Sequence, residues 1–398
     1  MVQAKDLTEL RLKDFWDEVK DEDKWWGDLK RETLRAVKGI LETSMDQEIN
    51  EQLQAWKYGR LESRRGYRNG YRERSQLTEF GLIEYLRVPR DRGGCYQPAL
   101  LATYERRQSE VNRLVREAFL AGVSTRRVGE VLAPILGEKL SPQTVSRIVA
   151  TLDSEVRRYH SRSLPDRYRY LFLDGITLKA KSVVGVQKRL VLCAYGITPD
   201  GNRELISYRQ ATAESEAQWE AFLRNLYDRG LEGKSIQLIA TDGCAGLHAA
   251  LLTVYPYTAR QRCWAHKLRN VAAKLPRKVQ EACLTGAKQI YLAETRREAK
   301  LRFLKWSALW RPAVPKAVAC VEQDLDELLA FLDCPREHWI RIRTTNVIER
   351  AFREVRRRTR TMSCFQNSAS VDRITYGIFS HLNATWKERP LPDFTHLS

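Results

Sequence analysis

Nowhere in these 398 residues is there an apolar run of about 18, the length a membrane-crossing helix needs, so no transmembrane span is expected. The start of the chain, Met1-Val-Gln-Ala-Lys-Asp, lacks the basic-then-apolar layout of a secretory leader, and the protein is expected to stay where it is made. No Cys-x-x-Cys pair occurs among the eight cysteines (95, 193, 244, 263, 283, 320, 334 and 364), so they read as reduced cytosolic thiols and not as a disulfide framework. Proline is scarce at 13 residues, while 10 Trp and 43% hydrophobic residues exclude a mainly disordered chain. A Walker-type phosphate loop is missing, which leaves a nucleotide cofactor without support. So is the nucleophile elbow of Ser–His–Asp hydrolases, and no internal repeat is visible.

What is present in excess is positive charge. Lys and Arg number 68 against 50 Asp and Glu, a net of +18. Residues 1–55 hold 9 of the basic and 14 of the acidic residues, so the rest of the chain carries +23. A surplus of that size points to a polyanionic partner, nucleic acid first.

The pattern along the chain suggests successive segments. Over residues 28–57, Leu34, Val37, Leu41, Met45, Ile49, Leu53 and Trp56 recur at helical steps and form one apolar stripe, suited to its own domain or to a second subunit. Residues 59–108 read as a basic β-hairpin region. Asn69-Gly70 lies between Tyr67-Arg68 and Tyr71-Arg72 as a turn signal, and residues 82–88 alternate as a strand. Residues 60–116 contain 13 Arg, no Lys and 7 acids. Arg68, Tyr71 and Arg72 suit phosphate contacts and base stacking, and equally a solvated basic hairpin. Residues 109–160 resemble a helix-turn-helix, with Ser141-Pro142 opening a third helix whose first turns present Gln143, Thr144 and Arg147. From 161 to 275, strands alternate with helices as in a mixed α/β sheet. Residues 276–340 read as all-helical, and 341–398 as closing helices.

Chemistry concentrates at three acids. Asp174 and Asp242 each follow an apolar strand and precede Gly, the place where α/β sheets bind ligands, and equally the place for an ordinary turn. Two carboxylates brought together repel unless a cation lies between them, and hard oxygen ligands suit Mg²⁺. Glu349 shares a helical stripe with Arg353, Arg356 and Arg360, beside Arg357, as a ligand flanked by phosphate-binding arginines would. The same spacing allows an Asn346–Glu349 capping box or a Glu349–Arg353 ion pair. Cys263 and His266 form half of a zinc pattern, for which Cys334 and His338 are a distant second half. Core or supporting roles beside the sheet fit the first pair better.

In order and spacing, ten segments resemble bacterial Mutator-type insertion-sequence transposases over nearly the whole chain. They include Tyr67-Arg-Asn-Gly-Tyr-Arg-Glu-Arg74, Ala121-Gly-Val-Ser-Thr-Arg126, Tyr170-Leu-Phe-Leu-Asp-Gly175, Glu214-Ser-Glu-x-x-Trp219, Gln261-Arg-Cys-Trp-Ala-His266 and Thr344-Thr-Asn-x-Ile-Glu349. The resemblance implies an RNase H-like core with an Asp-Asp-Glu triad at Asp174, Asp242 and Glu349, interrupted before the Glu by the helical stretch 276–340. It matches Cys263 and His266 to the family's Cys-x-x-His signature. The expected activity is cleavage and joining of double-stranded DNA at the element's terminal inverted repeats and at a target, through a copy-out, circular intermediate. The expected cofactor is two Mg²⁺ or Mn²⁺ ions per site. A homodimer is expected because two DNA ends must be paired, with the 34–56 stripe as its candidate interface. The expected location is the bacterial cytoplasm at the nucleoid. An inactive, DNA-binding descendant and an RNase H-like nuclease without strand transfer are the alternatives.

Overall fold

A computed structural model describes residues 22–59, 62–99, 101, 107–182, 185–362, 365 and 367–394. Residues 1–21 of the expected N-terminal segment, and Cys364, lie outside them. The chain divides into two compact units. One comprises residues 1–119 and 123–149, and the other residues 120–122 and 150–398.

In the first unit, helix α1 (Glu22–Leu53) precedes a two-stranded antiparallel hairpin, β1 (Arg68–Thr78) and β2 (Gly81–Asp91). The apolar stripe of α1 is spent on this hairpin. Met45 packs with Ile83, Leu86, Val88 and Leu101, and Leu34, Val37 and Leu41 lie against that cluster. Of the two roles the spacing allows, the stripe takes the one within its own unit, which leaves less of the 34–56 candidate interface for a second subunit. Trp56 leaves it altogether, lying past the end of α1 and 71% exposed. The turn also differs from expectation. The strands reverse at Glu79-Phe80, where Thr78 pairs with Gly81, and Asn69-Gly70 instead forms a register shift between Arg68 and Tyr71. Gly70 takes its positive φ of 70° there, so the glycine serves a bulge and not a turn.

Three helices follow, α2 (Ser109–Leu120), α3 (Thr125–Leu136) and α4 (Pro142–Ala150). Gly129 of α3 lies so close to the Leu140 carbonyl that a Cβ would fall 2.0 Å from its oxygen, and only glycine allows that crossing. Ser141 caps α4, its Oγ accepting from the Thr144 N–H at 3.1 Å. Val145, Ile148 and Val149 are buried.

The second unit begins with helix α5 (Leu152–Ser161), so the boundary between units falls before this helix. Its sheet has the order β5-β4-β3-β6-β7. Strands β3 (Tyr170–Ser182), β4 (Gly185–Ile197) and β5 (Arg203–Ala211) are antiparallel. Helix α6 (Glu216–Asp228) then leads to β6 (Leu238–Thr241), parallel to β3. Helix α7 (Ala245–Val254) leads to β7 (Ala259–Arg262), parallel to β6. Trp219, Phe222, Leu223 and Leu226 of α6 join Leu171, Leu173, Leu192 and Ile239 in one core. Next come α8 (Trp264–Ala272), α9 (Arg277–Tyr291), α10 (Arg296–Trp310), α11 (Pro315–Glu322), and the short α12 (Leu325–Leu328) and α13 (Trp339–Ile342), with two 3-10 turns between the last two. Helices α14 (Asn346–Thr359) and α15 (Ser368–Lys387) close the unit, α15 packing on β5. No described helix is long and apolar enough to cross a membrane.

Candidate active site

Strand register sets the two aspartates side by side. Leu173 of β3 pairs with Thr241 of β6, so Asp174 and Asp242 follow at the same level of neighbouring parallel strands. Asp174 does not end its strand as the sequence suggested. β3 runs on antiparallel to β4, with Asp174 opposite Cys193, and only its pairing with β6 stops there. Asp174 is therefore held on rigid backbone, 8% exposed, its Oδ1 accepting from the Gly175 N–H at 2.7 Å. Asp242 does stand on a turn. Its Oδ1 accepts from the Cys244 N–H at 2.9 Å, and Gly243 takes a φ of 93°. Burial first, and the charge of Asp242 second, push the Asp174 carboxyl up to about 7. The charge of Glu349 acts in the same sense, against the Gly175 N–H and His266.

Thr241 pairs in turn with Arg262 of β7, which brings Cys263 level with Asp242. Cys263, at the start of α8, ties this row to α14. Its thiol accepts from the Thr345 N–H at 3.2 Å and lies 3.4 Å from the Thr345 hydroxyl, which is also 3.4 Å from His266 Nδ1. The other ring nitrogen of His266 faces Glu349 Oε1 at 3.4 Å, and Arg269 Nη1 reaches the same oxygen at 3.5 Å. Burial works to raise the Cys263 thiol, but hydrogen bonds from His266 and Thr345 outweigh it and hold the thiol low. The bond to Cys263, joined by the charges of Asp174 and Glu349, raises His266 against its burial.

This arrangement decides two local alternatives. Thr345, not Asn346, occupies the cap position of α14 and makes no side-chain cap bond. Glu349 pairs with His266 and Arg269 and not with Arg353. Arg353 and Arg356 are exposed on α14, while Arg357 pairs with Glu354 at 2.7 Å. His338 of the distant half-pattern stacks on Phe394 with ring centroids 4.0 Å apart and bonds the Tyr170 hydroxyl at 2.7 Å. Among the described residues, no three His, Cys, Asp or Glu side chains stand together as a ready metal cage.

Glu214 is a further acid beside Asp242, which the residue pattern did not single out. Its carboxylate lies so close to Gly175 that a Cβ there would fall 2.6 Å from Oε1. Gly246 likewise admits the first turn of α7 onto the Glu214 carbonyl, 2.7 Å from where its Cβ would lie. Burial and then the Asp242 charge raise the Glu214 carboxyl. The sequence signals were the two glycines, which periodicity does not weigh.

In the first unit, Gln143 and Arg147 are exposed on α4 and Thr144 is half-buried, its hydroxyl 3.0 Å from Ser141 Oγ. On the hairpin the expected contacts separate. Arg68 donates to the Asp46 carboxylate at 3.0 Å and the Asn50 side chain at 2.5 Å, and the Tyr71 hydroxyl donates to Asp46 at 3.1 Å. Arg72 is exposed and lines a cavity of about 620 Å³ with Asn69, Arg90 and Arg92.

Residues 10–389 match the family described as "Transposase, Mutator family". The chain is 34% identical over 358 residues to the transposase for insertion sequence element ISRM5 of Rhizobium meliloti, covering 90% of this chain and 88% of that one. It is 39% identical over 335 residues to the transposase for IS406 of Burkholderia multivorans, covering 83% and 84%. It is 32% identical over 346 residues to the transposase for IS256 in transposon Tn4001 of Staphylococcus aureus, covering 86% and 87%.

Proposed function

The chain belongs to the Mutator family of transposases, and from that premise we propose that it binds the terminal inverted repeats of its own insertion sequence and catalyses metal-dependent DNA cleavage and strand transfer. The observation that carries the reading is the parallel register that sets Asp174 beside Asp242, with the charge of Glu349 acting on the same buried carboxyl. In this reading the second unit is an RNase H-like core and the helical stretch 276–340 its insertion.

The donor chemistry fits Mg²⁺ or Mn²⁺. Hard carboxylate oxygens whose charges repel are the ligands such ions select, and Asp174, raised by burial first and by the Asp242 charge second, is a carboxyl that a cation between the two would hold ionised. Asp174, Asp242 and Glu349 would hold the ions, Glu349 exchanging its contacts with His266 and Arg269 to do so. When bound, two ions supply an activated attacking oxygen and relief of charge on the leaving oxygen of an in-line displacement. The protein's own residues do the rest. Rigid β3 fixes Asp174, the Cys263–Thr345–His266 chain orients Glu349, and Arg353, Arg356 and Arg357 offer phosphate contacts along α14. Gln143, Thr144 and Arg147 read bases in the major groove from α4, and Arg72 grips the backbone. No covalent enzyme intermediate and no nucleotide are needed. A copy-out route through a circular intermediate, acting as a homodimer at the nucleoid, completes the reading.

The test incubates the protein with Mg²⁺, labelled DNA from the ends of its own element, and a target plasmid. Joined products are the expected result. Cleavage without joining would make it a nuclease, and binding without either a DNA-binding descendant.

A further inference from the structure

The segment after Asp242 is stitched to the helical stretch 276–340 by side chains that the chemistry above leaves unused. Gln261, fully buried on β7, donates to the Leu328 carbonyl at 3.1 Å, and its amide oxygen accepts from the Phe331 N–H at 2.8 Å. The Trp264 indole donates to the same Leu328 carbonyl at 2.7 Å. Lys267, 5% exposed, is ion-paired to Asp324 and donates to the Cys320 carbonyl at 3.0 Å. Arg262 stands at the centre. Its Nη1 donates to Asp324 Oδ2 at 3.0 Å and its Nε to Glu327 Oε2 at 3.3 Å.

The other side of that guanidinium carries the consequence. A Cβ built on Gly243 would lie 3.0 Å from Arg262 Nη1 and 3.1 Å from its Cζ. The guanidinium is therefore packed on the backbone of the residue that follows Asp242, where φ is 93°. Arg262 also pairs in the sheet with Thr241, the residue before Asp242. The Asp242 turn is thus enclosed on the β7 side by one residue, whose orientation is set by two carboxylates of the helical stretch. A planar group fixed at two donors is pre-organised in a way a flexible ammonium is not.

We propose that Arg262 is a positioning residue, and that the helical stretch 276–340 works through it, by way of Asp324 and Glu327, to hold the Asp242 turn in register with Asp174. The stretch is then a working part of the catalytic unit. The inference rests on the reading of Asp242 as a metal ligand. Supporting groups around metal ligands are worth about 10–100-fold in metal affinity.

Two readouts on the full-length protein test it, neither requiring turnover. The first is amide hydrogen exchange over residues 241–247. The second is Mn²⁺ binding followed by electron paramagnetic resonance. Arg262→Ala is expected to speed exchange in 241–247 by about tenfold or more while exchange in α6 stays as in the parent, and to weaken Mn²⁺ binding by about 10–100-fold. Arg262→Lys, which keeps the charge but loses the plane, is expected to fall between the two. Arg262→Ala with parent-like exchange at 241–247 would overturn the proposal. So would Arg262→Lys behaving as Arg262→Ala with both losing order across the whole unit, the result of a purely structural role. If Arg262→Ala does not fold, Glu327→Gln takes its place, with the same exchange result expected in milder form and parent-like exchange overturning the proposal. Asp242→Ala serves as the reference. Unchanged Mn²⁺ affinity in that variant would refute the metal-ligand reading itself, while the exchange result on Arg262 still decides the clamp.

Discussion

Thr345 gives its backbone N–H to the Cys263 thiol at 3.2 Å, joining the first turn of α14 to the strand row that carries Asp174 and Asp242. The residues are 82 positions apart in sequence. This contact ties the helix that carries Glu349, beyond a long helical stretch, to the row of strands that carries the two aspartates. Thr345 sits at the cap of α14, and Glu349 follows about one turn later, on the side where His266 receives it.

Asp242→Ala and Glu349→Ala are accordingly expected to lose DNA cleavage to background while binding end DNA as the parent does. Gel shift and cleavage assays on the same preparations check this. Full cleavage by either variant would remove it from the site. Glu349→Ala frees His266 and Arg269 of a partly exposed carboxylate, so the cost in stability is expected to be small, about 1 kcal/mol or less.

Asp174 gives a pH dependence whose sign can be worked out. Its folded carboxyl is raised from 3.8 to about 7, so the native state keeps a proton that the unfolded chain has lost. Stability from this group is fully present below about pH 4 and is lost as pH rises towards 7 in the absence of metal. Asp174→Asn removes the titration. In chelator, the variant's thermal midpoint is expected to exceed the parent's at pH 8, and the advantage to vanish by pH 4, with a difference on the order of 2–4 kcal/mol. Melts across that range decide it, and a constant offset would show that Asp174 carries no shifted titration.

How far the sequence discloses this site depends on what kind of interaction holds each part. Apolar strands and amphipathic helices, such as the Trp219, Phe222, Leu223 and Leu226 face of α6, follow from periodicity because burial drives them. β7 does not. Its residues, Ala-Arg-Gln-Arg, show no apolar alternation, and Gln261 is buried only because Phe331 and Leu328 satisfy both ends of its amide. Asn69-Gly70 misleads for a related reason, since a bulge and a tight turn ask the same positive φ of glycine. Glu214 was invisible as a site residue because the room it occupies is made by Gly175 and Gly246, which are distant in sequence.

Arg147 on α4 should carry base recognition if that helix enters a major groove. Its replacement by Ala is expected to cost about 1–3 kcal/mol in binding to element-end DNA, with little change for random duplex. Competition binding with both DNAs measures the ratio. Equal losses on both would mean a phosphate contact, and no loss on either would place α4 away from the DNA.

The two arginines at the start of β1 are expected to behave oppositely, although they lie only four positions apart. Arg68 is spent inside its own unit on Asp46 and Asn50, with 14% of its side chain exposed. Arg68→Ala leaves that carboxylate short of a partner and is expected to destabilise the first unit by about 1–3 kcal/mol. Any weakening of DNA binding should then follow the fraction unfolded. Arg72 holds no comparable position and faces the cavity it shares with Arg90 and Arg92. Arg72→Ala should leave the melting temperature unchanged, weaken binding to any duplex alike, and lower the slope of log affinity against log salt by about 1. Melting curves and a salt titration of binding on the two variants settle the contrast. A shallower salt slope for Arg68→Ala with an unchanged melt would show that Asp46 releases its arginine to DNA.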